Sequence, residues 1–475
     1  MHNNEKDCTL KKVSLAHNNS KLPESNASSM SPPDGGYGWV IVFASFIANI
    51  VVDGIIFSAG QTLVEIWEKD FQTTAMQASI TQSFLASFYM LAGPLASALA
   101  TSFGCRLVTV AGALMTFVGF ILSSFAPSLQ VLYFTFGIIG GTGFGLVYLP
   151  SILIVNQYFQ KRRAFAVGIA VCGSGIGTIL FSQIIPFLLK FSNNNWRYLI
   201  IYVAFITLIS GVSGLCYRKV SSVTSEYEKA ERTSLIILET KSYPETEGKK
   251  ETLEFVASMI DTCLLSDMRF ILIAVTAFLT VCCLFVPFIF LGKQANTVGA
   301  NQSQQSYLIS VMGLVNVFGR ILSGLLSDLP TVDTLFLHNV SIITAGIATC
   351  LVPLLTKYWM YVMYTIPFAW GVACFATLRS VICIELLGIK KFSSAFGMMM
   401  LCMGIAALIG PPFAAFLKDM SGNLNLSFYV MGSLLTLSGV LCIPLRMVKP
   451  KITNSLKLCN TGQLKLQSMH GTERF

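Results

Sequence analysis

The chain has 475 residues, of which 54% are hydrophobic and only 12% charged, and its mean hydropathy is +0.67. Soluble domains carry about a quarter charged residues, so these figures exclude a soluble enzyme and place the chain in a bilayer. The formal net charge of +9 does not point to nucleic acid, because the basic residues sit largely at the ends of apolar runs, as membrane topology requires.

Residues 1–33 are polar and rich in Ser, Asn and Lys, which predicts a disordered tail. They lack the apolar core of a cleavable signal peptide. Apolar runs of helical length then follow at about 38–60, 77–100, 107–126, 131–155, 164–189 and 198–217. After a break come runs at about 269–291, 307–326, 335–355, 359–387, 393–417 and 426–446. The fold class expected is an all-α polytopic membrane protein of about twelve transmembrane helices. The break, 218–268, is long and rich in Glu, Ser, Thr and Lys, so it is expected to be a poorly ordered loop. Its apolar patch, Leu235–Leu238, suits a short surface helix. The domains predicted are therefore a tail (1–33), a six-helix bundle (34–217), the loop (218–268), a second six-helix bundle (269–446) and a second tail (447–475).

Orientation follows from lysine and arginine in the short connections. Arg106, Lys161, Arg162, Arg163, Arg218, Lys219, Lys390, Lys391, Arg446, Lys449 and Lys451 share one side if the spans alternate. That side is expected to be cytosolic, with both termini and the central loop. The sequons at Asn18 and Asn26 would then stay unmodified. None of the thirteen cysteines falls squarely in an outer connection, and neither they nor the four histidines show metal-ligand spacing. No cofactor is implied.

The run Tyr307–Leu326 is apolar almost throughout and carries one charge, Arg320. A guanidinium at membrane depth must face protein, water or a ligand. Asn316 lies four residues earlier on the same helical face, which suggests a solute path. Further intramembrane charges are Asp53, Arg379 and Glu385. Two readings stand for these groups: they bind solute, or they neutralise one another and Arg320. Tyr148, Phe375 and Trp370 are aromatics within spans, where plain packing is the commoner role. Gly137, Gly141 and Gly145, like Gly173 and Gly177, are spaced by four, which is small-residue helix packing rather than a nucleotide loop.

Two segments are more specific. Asp34-Gly35-Gly36-Tyr37-Gly38-Trp39 leads into the first span, and Tyr158-Phe159-Gln160-Lys161-Arg162-Arg163 with Gly168 links the fourth and fifth. Together they resemble the two signature motifs of the monocarboxylate transporter family. The likeness continues at Asn195–Tyr198, Glu385–Gly388, Phe392–Gly397 and Gly410–Pro412. It implies the major facilitator fold, in which two six-helix bundles rock about a central site. Gly93-Pro94 with Gly104-Cys105-Arg106, and Gly324 with Asp328, are similar to that fold's paired turns, though the first copy lacks the usual acid.

The resemblance implies a plasma-membrane carrier of small organic acids that works by alternating access. Its candidate substrate residues are Arg320, Asn316, Asp53, Phe57, Arg379, Glu385 and Tyr148. The lactate-carrying members resemble one another in a first-span lysine and an eighth-span aspartate four residues before an arginine. Here Arg320 is kept, while Asn316 and Phe57 stand at the other two positions. Asparagine cannot take up a proton, so facilitated diffusion, or coupling through Asp53, is expected in place of lactate-type proton symport. The alternatives are a facilitative carrier of aromatic amino acids, thyroid-hormone-like or creatine-like solutes, and a solute-binding membrane sensor without net flux. Expected partners are a small organic solute and membrane lipid. By resemblance alone, a single-span immunoglobulin-like ancillary protein joins them.

One prediction follows from topology. Protease should cut the 218–268 loop only from the cytosolic face of oriented vesicles, and transport should survive the loop's removal. Cleavage from the outer face would invert the orientation.

Overall fold

A computed structural model describes residues 34–218, Leu264 and residues 267–445. The two expected tails, the sequons Asn18 and Asn26, and nearly all of the 218–268 loop with its Leu235–Leu238 patch lie outside the described residues.

The described residues form twelve successive helical elements. The first six are α1 (Tyr37–Asp70), α2 (Ala75–Leu91 and Gly93–Phe103), α3 (Cys105–Ser124), α4 (Leu129–Tyr158), α5 (Arg163–Phe191) and α6 (Trp196–Leu215). The second six are α7 (Met268–Asn296), α8 (Gln302–Asp328), α9 (Thr334–Leu351), α10 (Tyr358–Leu387), α11 (Ile389–Ser421) and α12 (Asn425–Leu441). Ten of these are long and apolar enough to span a bilayer, the bent pair in α2 makes an eleventh, and α12 is a shorter apolar helix. The twelve match the apolar runs of the sequence, and this is a multi-pass membrane protein.

The bend in α2 is 42° and falls at Gly93-Pro94. Pro94 has no N–H, so the hydrogen-bond ladder misses a rung there. The break lies directly after Tyr89 and Met90, and both face the centre of the molecule.

Small residues set how closely the helices approach. A Cβ added at Gly141 of α4 would lie 2.7 Å from the Leu85 carbonyl oxygen of α2. Gly173 and Gly177 of α5 likewise lie against the Phe46 and Ile50 carbonyls of α1. The glycine series are thus packing stripes, as their spacing predicts.

The same device joins the two halves. A Cβ at Gly168 of α5 would be 2.6 Å from the Arg320 carbonyl oxygen of α8, and one at Gly324 would be 2.6 Å from that of Ala164. On the other flank, a Cβ at Gly93 would sit 2.5 Å from the Gly397 carbonyl oxygen of α11. The halves therefore meet backbone to backbone near the end of the molecule that carries Tyr158 and Arg163, here termed the motif end.

Polar contacts close that end, and they are not symmetric. The Asp328 carboxylate, at the last residue of α8, accepts the N–H groups of Ala164 (3.1 Å) and Phe165 (2.8 Å) in the first turn of α5. A carboxylate on a helix N-terminus satisfies orphan donors and complements the helix dipole. On the opposite flank no acid occupies the corresponding position, Gly104-Cys105-Arg106, in the first turn copy. Instead, the Ser393 hydroxyl of α11 meets those of Ser97 (3.0 Å) and Thr101 (3.2 Å) on α2. The missing acid in the first turn copy therefore has hydroxyl contacts in its place.

Asp328→Ala removes two acceptors from α5 and should weaken this closure by about 1–2 kcal/mol. Ala164 is buried. An Ala164→Cys reporter should accordingly react with maleimide about 5- to 30-fold faster in the Asp328→Ala background. Equal rates would remove Asp328 from the closure.

Candidate functional site

The site is built where the two halves face each other at mid-depth. From the first half, α1 presents Asp53 and, one turn on, Phe57, while α2 presents Tyr89 and Met90 and α4 presents Tyr148. From the second half, α8 presents Arg320 and α10 presents Phe375 and Arg379, with Val281, Leu284 and Phe285 coming from α7. These side chains line a small cavity, with about 60 Å³ of space for a water-sized sphere.

Three charged side chains reach it, and all are nearly out of water: Asp53 is 5% exposed, Arg320 7% and Arg379 7%. Buried charges are retained only when their hydrogen-bonding capacity is met. Each has its own set of partners. The Asp53 Oδ1 accepts the Tyr89 hydroxyl at 3.1 Å. Arg320 donates from Nε to Asn316 Oδ1 at 2.6 Å and from Nη1 to the Val171 carbonyl and the Ser174 hydroxyl of α5. Among the described residues no acceptor reaches its Nη2. Arg379 donates to the Tyr148 hydroxyl and to Met403 Sδ (3.4 Å). Its guanidinium carbon lies 5.4 Å from the Phe375 ring centre, 5.7 Å from that of Phe396 and 5.8 Å from that of Tyr148. Aromatic faces stabilise a desolvated cation.

A chain of contacts thus runs from Asp53 through Tyr89 and Tyr148 to Arg379, the two tyrosine rings lying edge to face at 5.1 Å. Among the described residues no salt-bridge contact joins Asp53 to either arginine, although Asp53 lies within range of charge attraction from both. Carbonyl, hydroxyl and aromatic partners meet their hydrogen-bonding needs, and both readings left open by the sequence still stand.

Of the candidates, Asp53, Phe57, Tyr148, Arg320 and Arg379 are brought together. Asn316 stands behind Arg320 and orients it without lining the cavity. Glu385 lies apart, nearer the motif end, where its carboxylate accepts the Thr334 hydroxyl at 2.9 Å. Trp370 does not line the cavity, and its indole N–H donates to Ser341 at 3.0 Å. Sequence reasoning missed Tyr89 and Phe285. The available signal for Tyr89 was a hydroxyl just before the Gly93-Pro94 break; Phe285 carries none that separates it from packing.

The motif residues form a separate structural unit. Asp34 Oδ1 accepts the N–H groups of Gln160 (2.7 Å) and Lys161 (2.9 Å), and the Asp34 N–H donates to the Tyr158 carbonyl at 3.3 Å. Gly36, at the start of α1, has φ +56°, which only glycine adopts without strain. Gly38 lies against the Phe159 ring, on which Trp39 also packs edge-on at 5.1 Å. The Tyr37 hydroxyl donates to the Cys216 carbonyl at 2.8 Å, and that of Tyr158 to the Arg218 carbonyl at 3.0 Å. Lys161 and Arg162 are exposed. The two motifs therefore read one another and tie α1, α4, α5 and α6 together, far from the cavity.

Comparison with known proteins agrees with this architecture. The family model described as Major Facilitator Superfamily matches residues 38–337 and 295–462. Monocarboxylate transporter 2 of Mus musculus is 31% identical over 419 residues, covering 86% of this chain and 84% of its own. Monocarboxylate transporter 12 of Homo sapiens is 28% identical over 438 residues, covering 89% and 83%. Among solved structures, the proton:xylose symporter XylE aligns with a TM-score of 0.61 at 16% identity, covering 85% of this chain and 94% of its own. The human organic anion transporter MFSD10 aligns with 0.61 at 12% identity, covering 86% and 100%. At these identities the structural likeness concerns the fold.

The partners of Arg320 yield a prediction. Because the described hydrogen bonds of Arg320 all go to neutral groups, Arg320→Gln combined with Asp53→Asn, or with Glu385→Gln, should not recover transport, while surface level stays normal. Arg320→Lys keeps the charge but loses the planar fork. It should cost about 10- to 100-fold in transport, the range expected for hydrogen bonds to a charged group. Recovery in either double variant would make Arg320 a structural counter-charge.

Proposed function

This chain belongs to the monocarboxylate transporter family of the major facilitator superfamily, and from that membership we propose that it carries small organic monocarboxylates across the plasma membrane by alternating access. The observation that carries the substrate charge is the tally of the cavity. Two guanidiniums and one carboxylate leave a surplus of one positive charge when all are ionised. A single bound carboxylate cancels it, and Arg320 Nη2 supplies a donor not committed to the protein. An uncancelled charge at membrane depth costs several kcal/mol by the lower estimates.

Coupling is read from the residues that stand in the path. Asn316 cannot carry a proton and Phe57 cannot carry a charge, which leaves Asp53 as the cavity's acid. We infer either facilitated diffusion of the anion or proton coupling through Asp53, in a bilayer orientation that puts the motif end, both tails and the 218–268 loop in the cytosol. An ancillary single-span partner enters this reading by family resemblance alone.

The competing reading, a sensor that binds solute without moving it, differs in flux. Proteoliposomes should show saturable uptake of labelled organic monoanions, and specific binding with no saturable uptake across a broad panel favours the sensor. The two coupling modes separate electrically. Uncoupled anion uptake should respond to an inside-positive potential, with accumulation of up to about 50-fold per 100 mV at equilibrium. Coupling through Asp53 makes uptake electroneutral and acid-stimulated, and Asp53→Asn should abolish that stimulation. Steeply acid-stimulated lactate uptake that survives Asp53→Asn and acidifies the lumen would overturn both modes.

A further inference from the structure

The cavity has two chemically distinct ends, and helix direction fixes their order. The helix α1 starts at the motif end, since Asp34 bonds to residues 160 and 161, so Phe57 lies about 6 Å beyond Asp53 towards the opposite end. The helix α8 finishes at the motif end, where Asp328 meets α5. The connection from α7 to α8 is short, so α7 also starts at the motif end and Phe285 lies beyond Val281. The helix α10 runs the other way, with Glu385 beside Thr334 at the motif end. Val372 is therefore about 10 Å farther from that end than Arg379.

Asp53, Arg320, Arg379 and the two tyrosine hydroxyls accordingly form a polar floor. The roof is apolar, made of Phe57, Leu284, Phe285 and Val372. Its centre is a pair of rings from opposite halves, Phe57 and Phe285, stacked at 6.1 Å with 29° between their planes. Phe288 continues the aromatic surface 6.4 Å from Phe57. No side chain of the roof carries a charge or a hydrogen-bonding group.

Resting on the carrier reading above, we infer that the preferred substrate is a monoanion with an aromatic or branched apolar body, and that Phe57 and Phe285 determine this specificity. The carboxylate sits on the floor and cancels its surplus charge. The apolar body fills the roof and replaces water against the two rings. A three-carbon acid meets the floor but leaves the roof unfilled. A zwitterionic amino acid fills the roof but leaves the floor charge uncancelled, because its ammonium offsets its carboxylate.

Lactate, 3-phenyllactate and phenylalanine separate these terms. Phenyllactate adds only a ring to lactate, and phenylalanine exchanges the hydroxyl of phenyllactate for an ammonium group. In proteoliposomes, kcat/KM for phenyllactate should exceed that for lactate by about 10- to 100-fold, the value expected from burying one ring. Phenylalanine should be the weaker of the two aromatic solutes. Phe57→Ala and Phe285→Ala should narrow the phenyllactate-to-lactate ratio chiefly through KM. Phenyllactate should also raise the melting temperature of the purified wild-type protein more than lactate at equal concentration, a readout that needs no variant to fold.

Equal kcat/KM for lactate and phenyllactate, or a preference for phenylalanine, would overturn the inference while leaving the carrier reading intact. So would an equal loss of both fluxes in the alanine variants with the ratio unchanged, which would make the ring pair a gate and not a selector. Absence of saturable uptake for every monocarboxylate would sink the carrier reading and this one with it.

Discussion

The organising constraint is that three ionisable groups stand where a bilayer offers them no solvent. Each guanidinium and the one carboxylate would cost several kcal/mol to bury bare. What surrounds them is the response: Asn316 and the α5 carbonyl and hydroxyl for Arg320, Tyr89 for Asp53, and an aromatic enclosure with Tyr148 for Arg379. Neutral partners satisfy hydrogen bonds without cancelling charge. The site thus stays polarised.

The packing of the halves serves the same end. Close backbone crossings at Gly168, Gly324 and Gly93 bring α5 to α8 and α2 to α11. That approach places the Arg320 side chain against the α5 backbone, where it meets the Val171 carbonyl. The signature motifs act at one remove, fixing the start of α1 against the α4–α5 connection so that Asp53 and α5 share a frame.

The twelve elements were legible because apolar runs of bilayer length are a strong signal; the bend in α2 lies inside the expected run 77–100 and was not foreseen, although Pro94 supplies its cause. Five cavity residues were legible because a charge inside a span is rare, or because the family resemblance marked the position. Their pairing was not. Period and length say that Asp53 and Arg320 lie at similar depth, but not that tyrosines and carbonyls would satisfy them in place of each other. Glu385 shows the limit from the other side: it lies in an apolar run, yet the helix carries it to the motif end, where Thr334 holds it. Phe285 was invisible because a phenylalanine that faces a cavity and one that faces a neighbouring helix leave the same trace in sequence.

Apart from the contacts to Asn316 and Met403, the hydrogen bonds of the two arginines cross between the halves. Both donors belong to the second half, and Val171, Ser174 and Tyr148 belong to the first. Any rolling of one half over the other must hand these protons to new acceptors in mid-stroke. Water can take them only once it has entered, whereas a bound carboxylate is already in place and travels with the arginines. The empty molecule and the loaded one therefore climb different hills on the same path.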